Sequence, residues 1–459
     1  MQTEAIAQFS QALRGALIGR EHPEYDGAHK LYNGAIDKRP LLIAQCVDAA
    51  DVMTAVNFGR DNKLPIAVRG GGHSGPGLGS VDDGLVIDLS QMRGVRVDPE
   101  ARTVRVAAGC VTGDVDHAAH AFGLAVPFGI VSTTGVGGLT LSGGHGYLSR
   151  QYGLAIDNLI EADVVLADGS LKVASETKNA DLLWALRGGG GNFGVVTSFL
   201  FRARPASMIY GGPIIWELGE AARIMRWYRD FQATAPEEFC VFLGLQKVPA
   251  GDPFPREHWD KKVCVLMAVH NGAPGEGERA VQAMRAALPK PIIDWAGPMP
   301  YPAVQSLFDG LYPKGLHWYW KGDFVKTLPD EAIEAHLAHM ETIPSALSAM
   351  HLYPIDGAVH RVKKSDTAWN ARDTTWSMVI LGLDTDPAAS PRLRQWARDY
   401  WAGVHPFNLA GGYPNFMMDD EGRERLEATF GDNYPRLAAL KKKFDPANLF
   451  RVNQNIRPG

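Results

Sequence analysis

Along the first sixty residues apolar positions recur at helical spacing. Ile6, Phe9, Leu13 and Leu17 share one face of a helix predicted within 1–20, and Val52 and Val56 share a face of a second helix that Asp48 can cap and that runs to about Asn62. The period then shortens. Residues 85–89, 94–97 and 103–107 read as strands, the last by plain alternation. A helix over about 112–122 comes next, then a strand and turn at 162–169, a short helix at 181–187 and a β-branched strand at 195–201. Beyond residue 208, strands near 240–246, 262–270, 350–356 and 374–383 are interleaved with helices near 220–234, 276–287, 330–342 and 390–403, and one long helix is predicted from about Glu421 to Phe444. Strands paired with helices in this way predict an α+β protein with a sheet covered on one face. No repeat with a period of 20–50 residues is present.

Two glycine-rich stretches break this pattern. In Pro65–Gly75 a short apolar run ends in Arg69, Gly70, Gly71, Gly72, His73, Ser74 and Gly75. Such a backbone can turn its N–H groups outward and approach a bulky anion, because no Cβ intervenes, and Arg69 can add charge-assisted hydrogen bonds. The spacing Gly70-x-Gly72-x-x-Gly75 matches the dinucleotide fingerprint, but it leads into a turn and a strand, so no helix N-terminus is available for a pyrophosphate. Gly189-x-Gly191-x-x-Gly194 fails in the same way before the strand at 195–201. The second stretch packs Gly135, Gly137, Gly138, Gly143, Gly144 and Gly146 into twelve residues, interleaved with Leu139 and Leu141. That density opposes a helix or strand interior, and the apolar interleaving opposes a solvated linker. Backbone packed against a flat ligand fits both.

Composition narrows the function. The chain has 459 residues, enough for two or three packed units, with 46% apolar and 21% charged residues and a net charge of −5. That charge leaves no footprint for nucleic acid or an acidic membrane. Cys46, Cys110, Cys240 and Cys264 are far apart and form no C-x-x-C pair, so neither a metal site nor a disulfide framework is expected. The N-terminus shows no basic region before a continuous apolar stretch, and no membrane span is evident, which predicts a cytoplasmic enzyme. All tryptophans but Trp184 lie between Trp216 and Trp401, marking a region of different character.

Arg69–Ser74, Gly135–Gly146, Gly191–Val196, Tyr413–Asn415 and Asp445–Phe450 together span the chain. In this order they resemble the FAD-linked oxidases of the vanillyl-alcohol-oxidase superfamily, in the berberine-bridge-enzyme-like branch. The resemblance implies a two-part PCMH-type FAD domain, residues 1–207 and a berberine-bridge-like segment 411–459, around an inserted substrate domain, 208–410, built on an antiparallel sheet covered by helices. It implies FAD bonded covalently through His73. Some members add a cysteinyl bond from a C-P-T-x-G motif, but here Val131-Ser132-Thr133-Thr134-Gly135 stands in that place and Cys110 does not match, so a single link is expected. The cofactor contacts so implied are Arg69, Gly70, Gly71, Gly72, His73, Ser74, Leu78, Thr133, Thr134, Gly135, Gly138, His145, Gly146, Val196, Tyr413, Asn415 and Asn453.

Flavin oxidation needs a group to take or relay the substrate's proton as hydride leaves carbon. In many relatives a tyrosine three residues after the first tyrosine of Y-x-N-Y does this, and here that position is Phe416. The replacement suggested by the resemblance is Asp356, before Gly357 on a strand expected to face the flavin; Tyr413 is a second candidate, better suited to flavin packing. Trp318, Trp320, Lys321, His351, Tyr353 and Trp376 are candidate pocket residues. The reading is an oxidase of small organic molecules, phenolic, alkaloid or polyketide-like, that uses molecular oxygen and releases hydrogen peroxide. The alternatives are a carbohydrate oxidase, a dehydrogenase or monooxygenase, or a non-redox flavin-holding cyclase or ligand binder.

Overall fold

The computed structural model describes residues 3–273 and 275–459. The N-terminal portion builds two small sheets. Strands Ala16–Gly19, Leu42–Gln45, Leu85–Asp88 and Ile66–Arg69 lie side by side in that order, the last three parallel. Strands Val95–Asp98, Thr103–Ala107, Val195–Arg202, Leu159–Val165 and Leu171–Ser175 form an antiparallel sheet of five. The helix Ala49–Asp61 joins the two: the Asp48 carboxylate accepts from the Asp51 N–H at 3.0 Å, and the helix buries Val52 and Val56 as the periodicity predicts.

The third sheet is larger and fully antiparallel. Its main path runs Ile293–Asp294, Met208–Glu217, Lys262–His270, Phe239–Lys247, Ala349–Pro354, Trp376–Asp384 and His317–Val325. Nearly every residue of the central strands is buried, because helices cover one face and a cavity the other. On the helix side Asp323 is fully buried and accepts from Trp401, His405, Asn408 and Arg425, which binds the helix Ser390–Val404 and the chain beyond it to the sheet. The N–H of Leu409 donates to the Phe324 carbonyl at 2.9 Å, so the chain returning toward the C-terminus covers the edge strand.

Four readings need correction. The first helix is Thr3–Ala12; Leu17 lies in a strand, and residues 1 and 2 are outside the described ones. The second glycine stretch contains a short helix, Val136–Leu141, which Gly137 and Gly138 disfavour and the burial of Val136 and Leu141 holds in place. The long C-terminal helix is two, Arg423–Phe430 and Tyr434–Phe444, because Gly431 takes φ 47° and Pro435 starts a new helix. Strands Met208–Glu217 and His317–Val325 were not anticipated; Gly211, Gly212 and Pro213 hide the first.

One buried carboxyl sits between these layers. Asp116, 2% exposed on the helix Thr112–His120, accepts from Gln305 Nε2 at 3.3 Å, and loss of solvent pushes its pKa up to about 7. Between the ordinary value of 3.8 and about 7 the folded chain keeps a proton that the unfolded chain has released, so stability declines across that window as pH rises. Asp116→Asn is expected to raise the unfolding free energy at about pH 8 by about 1–3 kcal/mol, read as a higher denaturation midpoint, and to change it little near pH 4. An equal effect at both pH values would contradict the buried-carboxyl account.

Candidate active site

A cleft enclosing about 2080 Å³ of empty space, open solvent included, lies where the glycine stretches meet the uncovered face of the large sheet. Its floor is glycine backbone from three stretches: 70–72, 135–138 and 188–191. The first two touch directly. A Cβ on Gly71 would stand 2.4 Å from the Gly135 nitrogen, and one on Gly135 2.2 Å from the Gly71 nitrogen, so neither position admits a side chain. None of the described residues accepts a hydrogen bond from the N–H groups of Gly70, Gly71, Gly72 or His73, which leaves four successive donors at the cavity for an anion. A phosphorylated, flat cofactor fits this floor.

His73 is held at the edge of that floor. Its ring stacks on Tyr32 with centroids 3.7 Å apart, and Nε2 lies 3.1 Å from Thr133 Oγ1. Desolvation lowers the imidazole pKa to about 4, so it is neutral at physiological pH. The Ser74 hydroxyl accepts from the Leu78 N–H at 3.2 Å and closes the next turn. Arg69 lines the cavity, but its guanidinium is bonded at 2.8 Å to the buried Asp88. It is a pillar under the loop; the free anion donors are the backbone amides.

Strand alternation builds the opposite wall. Register brings Trp318 and Trp320, His351 and Tyr353, and Val379 and Leu381 to the cavity face of three adjoining strands. His351 Nδ1 and the Tyr353 hydroxyl are 2.7 Å apart. Burial lowers the His351 pKa to about 4 and holds the Tyr353 phenol well above its usual range. Phe416 enters the same wall because Gly322 has no side chain; a Cβ there would lie 2.9 Å from the Phe416 Cβ. His145 sits beside Tyr413 and Tyr353 with no partner for either ring nitrogen among the described residues, and burial lowers its pKa to about 3.

Tyr413 is not placed to be a base. Its oxygen accepts from the Gly144 N–H at 3.0 Å and from Asn415 Nδ2 at 2.8 Å, and burial pushes its pKa up to about 12, so it keeps its proton. Asn415 also donates to the Leu139 carbonyl, which ties the C-terminal segment to the second glycine stretch. Leu78, Thr134, Gly135, Gly138, Val196 and Asn453 line the cavity. Thr133 does not line it and acts on His73 instead; Gly146 also stands back, where a Cβ would strike the Phe128 carbonyl at 2.0 Å.

Asp356 is brought elsewhere. It lies outside this cavity, in a separate cleft, with its carboxylate 2.7 Å from Arg150 Nε and 3.0 Å from Gln232 Nε2. A carboxylate so engaged cannot reach a substrate on the other side of the sheet. Trp376 shares that second cleft and donates to the Tyr228 hydroxyl at 3.0 Å. Lys321, odd-numbered on its strand, faces the helices and pairs with Asp420 and Glu421 at 3.1 and 3.0 Å. Tyr32, Tyr312 and the 188–191 loop were missed; the failed fingerprint at Gly189–Gly194 was the available signal for the loop.

Comparison with known proteins finds relatives in both sequence and fold. Residues 40–175 match the FAD binding domain family and residues 412–457 the family described as berberine and berberine like. An FAD-linked oxidoreductase of Dictyostelium discoideum is 31% identical, covering 99% of this chain and 97% of that protein. The (R)-6-hydroxynicotine oxidase of Paenarthrobacter nicotinovorans is 29% identical with 97% of each chain covered. The crystal structure of 6-hydroxy-D-nicotine oxidase from Arthrobacter nicotinovorans has a TM-score of 0.86 at 25% identity, covering 97% of this chain and 98% of that one. Sequence kinship along the full length and a shared fold lead to one conclusion: the chain belongs to the berberine-bridge-like FAD-linked oxidoreductases of the vanillyl-alcohol-oxidase superfamily.

Proposed function

We propose that this enzyme is an oxidase that removes hydride from an alcohol or amine carbon of a small organic molecule, with oxygen as the final acceptor and hydrogen peroxide as the second product. FAD, when bound, supplies the hydride acceptor and the route of electrons to oxygen. The observation that carries the reading is the Tyr353–His351 pair on the cavity wall. Tyr353 oxygen is suited to accept the substrate's hydroxyl proton while its own passes to His351 Nδ1. The phenol stays protonated at neutral pH, so it acts as a relay, and the neutral imidazole behind it is the acceptor. This pair takes the place left vacant by Phe416.

The donors at Gly70–His73 suit the pyrophosphate, and Thr134, Gly135, Gly138, Val196, Asn415 and Asn453 surround the same space. His73 is the residue for the covalent link. With Nε2 engaged by Thr133, Nδ1 is the nitrogen left to carry it, and Val131 offers no thiol for a second bond. We divide the chain into FAD-holding parts at 1–207 and 411–459 and a substrate part at 208–410. Four free buried cysteines suit a reducing, cytoplasmic compartment; among the described residues no helix is long and apolar enough to cross a membrane.

Two measurements test the proposal. After acid denaturation the yellow colour is expected to stay with the protein and the FAD mass to map to the peptide carrying His73; His73→Ala is expected to release all of it. Colour that washes out of the unaltered protein would remove the covalent link. During turnover, one peroxide per oxidised substrate is the oxidase outcome, and product without peroxide would point to another acceptor.

A further inference from the structure

We propose that the substrate is a neutral, planar and largely apolar alcohol, an aromatic or fused-ring molecule with few polar groups. The inference rests on the oxidase reading above and narrows it. Among the described residues that line the cavity, no carboxylate or lysine occurs, and the single full charge, Arg69, is neutralised by Asp88. The three histidines on the lining, His73, His145 and His351, are held neutral by burial. A cationic amine would therefore lose its water without meeting an opposite charge. The faces of Trp318 and Trp320 attract cations, but that attraction is smaller than the cost of stripping an ammonium of solvent.

A sugar fails for a different reason. Each ring hydroxyl needs a donor and an acceptor once buried. The cavity's side-chain amides are largely spent within the protein: Asn415 on Leu139 and Tyr413, Asn192 on Gly189, Asn453 on Phe450. On the sheet side the Tyr353–His351 pair can both give and take a proton, whereas the other free polar atoms, the Trp318 and Trp320 indole N–H groups, donate only. Around the pair the wall is aromatic and continuous. Tyr312 and Trp318 have centroids 5.4 Å apart, Trp318 and Trp320 5.7 Å, and Trp320 and Phe416 6.3 Å, all tilted or edge-on. Such a surface takes a flat ring in offset or edge-to-face contact, with one hydroxyl directed at Tyr353.

The test uses the holoenzyme without oxygen and three probes: 2-naphthalenemethanol, xylobiose and, at neutral pH, N-methylbenzylamine. Perturbation of the flavin absorbance reports binding, and loss of that absorbance reports oxidation. 2-Naphthalenemethanol is expected to bind at least tenfold more tightly than either competitor. Equal or tighter binding of xylobiose or the amine overturns the substrate class, as does a protein that none of the three perturbs. Tight binding of 2-naphthalenemethanol without bleaching supports the class and removes the oxidase reading; bleaching by xylobiose keeps the oxidase reading and removes the class. Leu381→Glu, which puts a carboxylate into the wall, is expected to weaken 2-naphthalenemethanol at least tenfold and to strengthen the amine. Should that variant not fold, the panel on the unaltered protein decides alone.

Discussion

Tyr353→Phe is expected to lower kcat by about 10²–10⁴-fold, the usual contribution of a positioned acid–base group, while KM changes little. The ring still fills its place against Phe242, His145 and Phe416, so what is lost is the hydroxyl that faces His351. His351→Phe should cost a similar factor, since the relayed proton then has no acceptor, and the double variant should be no worse than either single one, because the two act as a unit. The pH profile supplies an independent check. The relay needs a neutral imidazole, and with its pKa lowered to about 4 the acid limb of kcat should lie near that value, well below the position of an unperturbed histidine. A Tyr353→Phe variant with kcat within a few-fold of the parent, or an acid limb near pH 6.5, would send the search to His145, neither of whose ring nitrogens has a partner among the described residues.

The residues that misled and those that did not differ in one respect. Glycines, caps and alternation report on their own neighbourhood: Asp48 caps its helix through an N–H three residues on, and the glycines at 70–72 and 135–138 announce a close backbone approach whatever they approach. Those features were legible. Asp356 was suggested by the resemblance, as an acid before Gly357 on a strand facing the flavin, but its environment is set by Arg150, 206 residues earlier, which no local pattern reveals. Lys321 was open to the same error. Its strand was not recognised, so the alternation that sends Trp318 and Trp320 to the cavity and Lys321 to the helices was not available. His351 and Tyr353 were placed in the pocket by sequence, but their 2.7 Å contact depends on side-chain directions two residues apart on one face, which sequence leaves open.

The second large effect is structural and lies at the C-terminus. Lys441 and Asp445 are both fully buried, one turn apart on the last helix and its end, with Nζ 2.7 Å from the carboxylate. Lys441 also donates to the carbonyls of Asn192 and Phe450, at 2.7 and 2.8 Å, and Asp445 accepts from the N–H groups of Leu449 and Phe450. This explains the Asp-Pro-Ala-Asn-Leu-Phe ending: the aspartate ties the final loop into a turn, and the lysine fastens that turn to the loop at 190–192, whose glycines line the cavity. Lys441→Met keeps the length of the side chain and leaves Asp445 as an uncompensated buried charge, so a loss of about 3–5 kcal/mol is expected, read as a lower denaturant midpoint. Adding Asp445→Asn should recover part of it by removing the stranded charge. Because the loop at 190–192 is released together with the terminus, His73→Ala combined with Lys441→Met should shed FAD on gel filtration under conditions where His73→Ala alone retains it. Retention by the double variant equal to that of His73→Ala would show that the terminus is fastened by other contacts and that the glycine floor holds its shape without it.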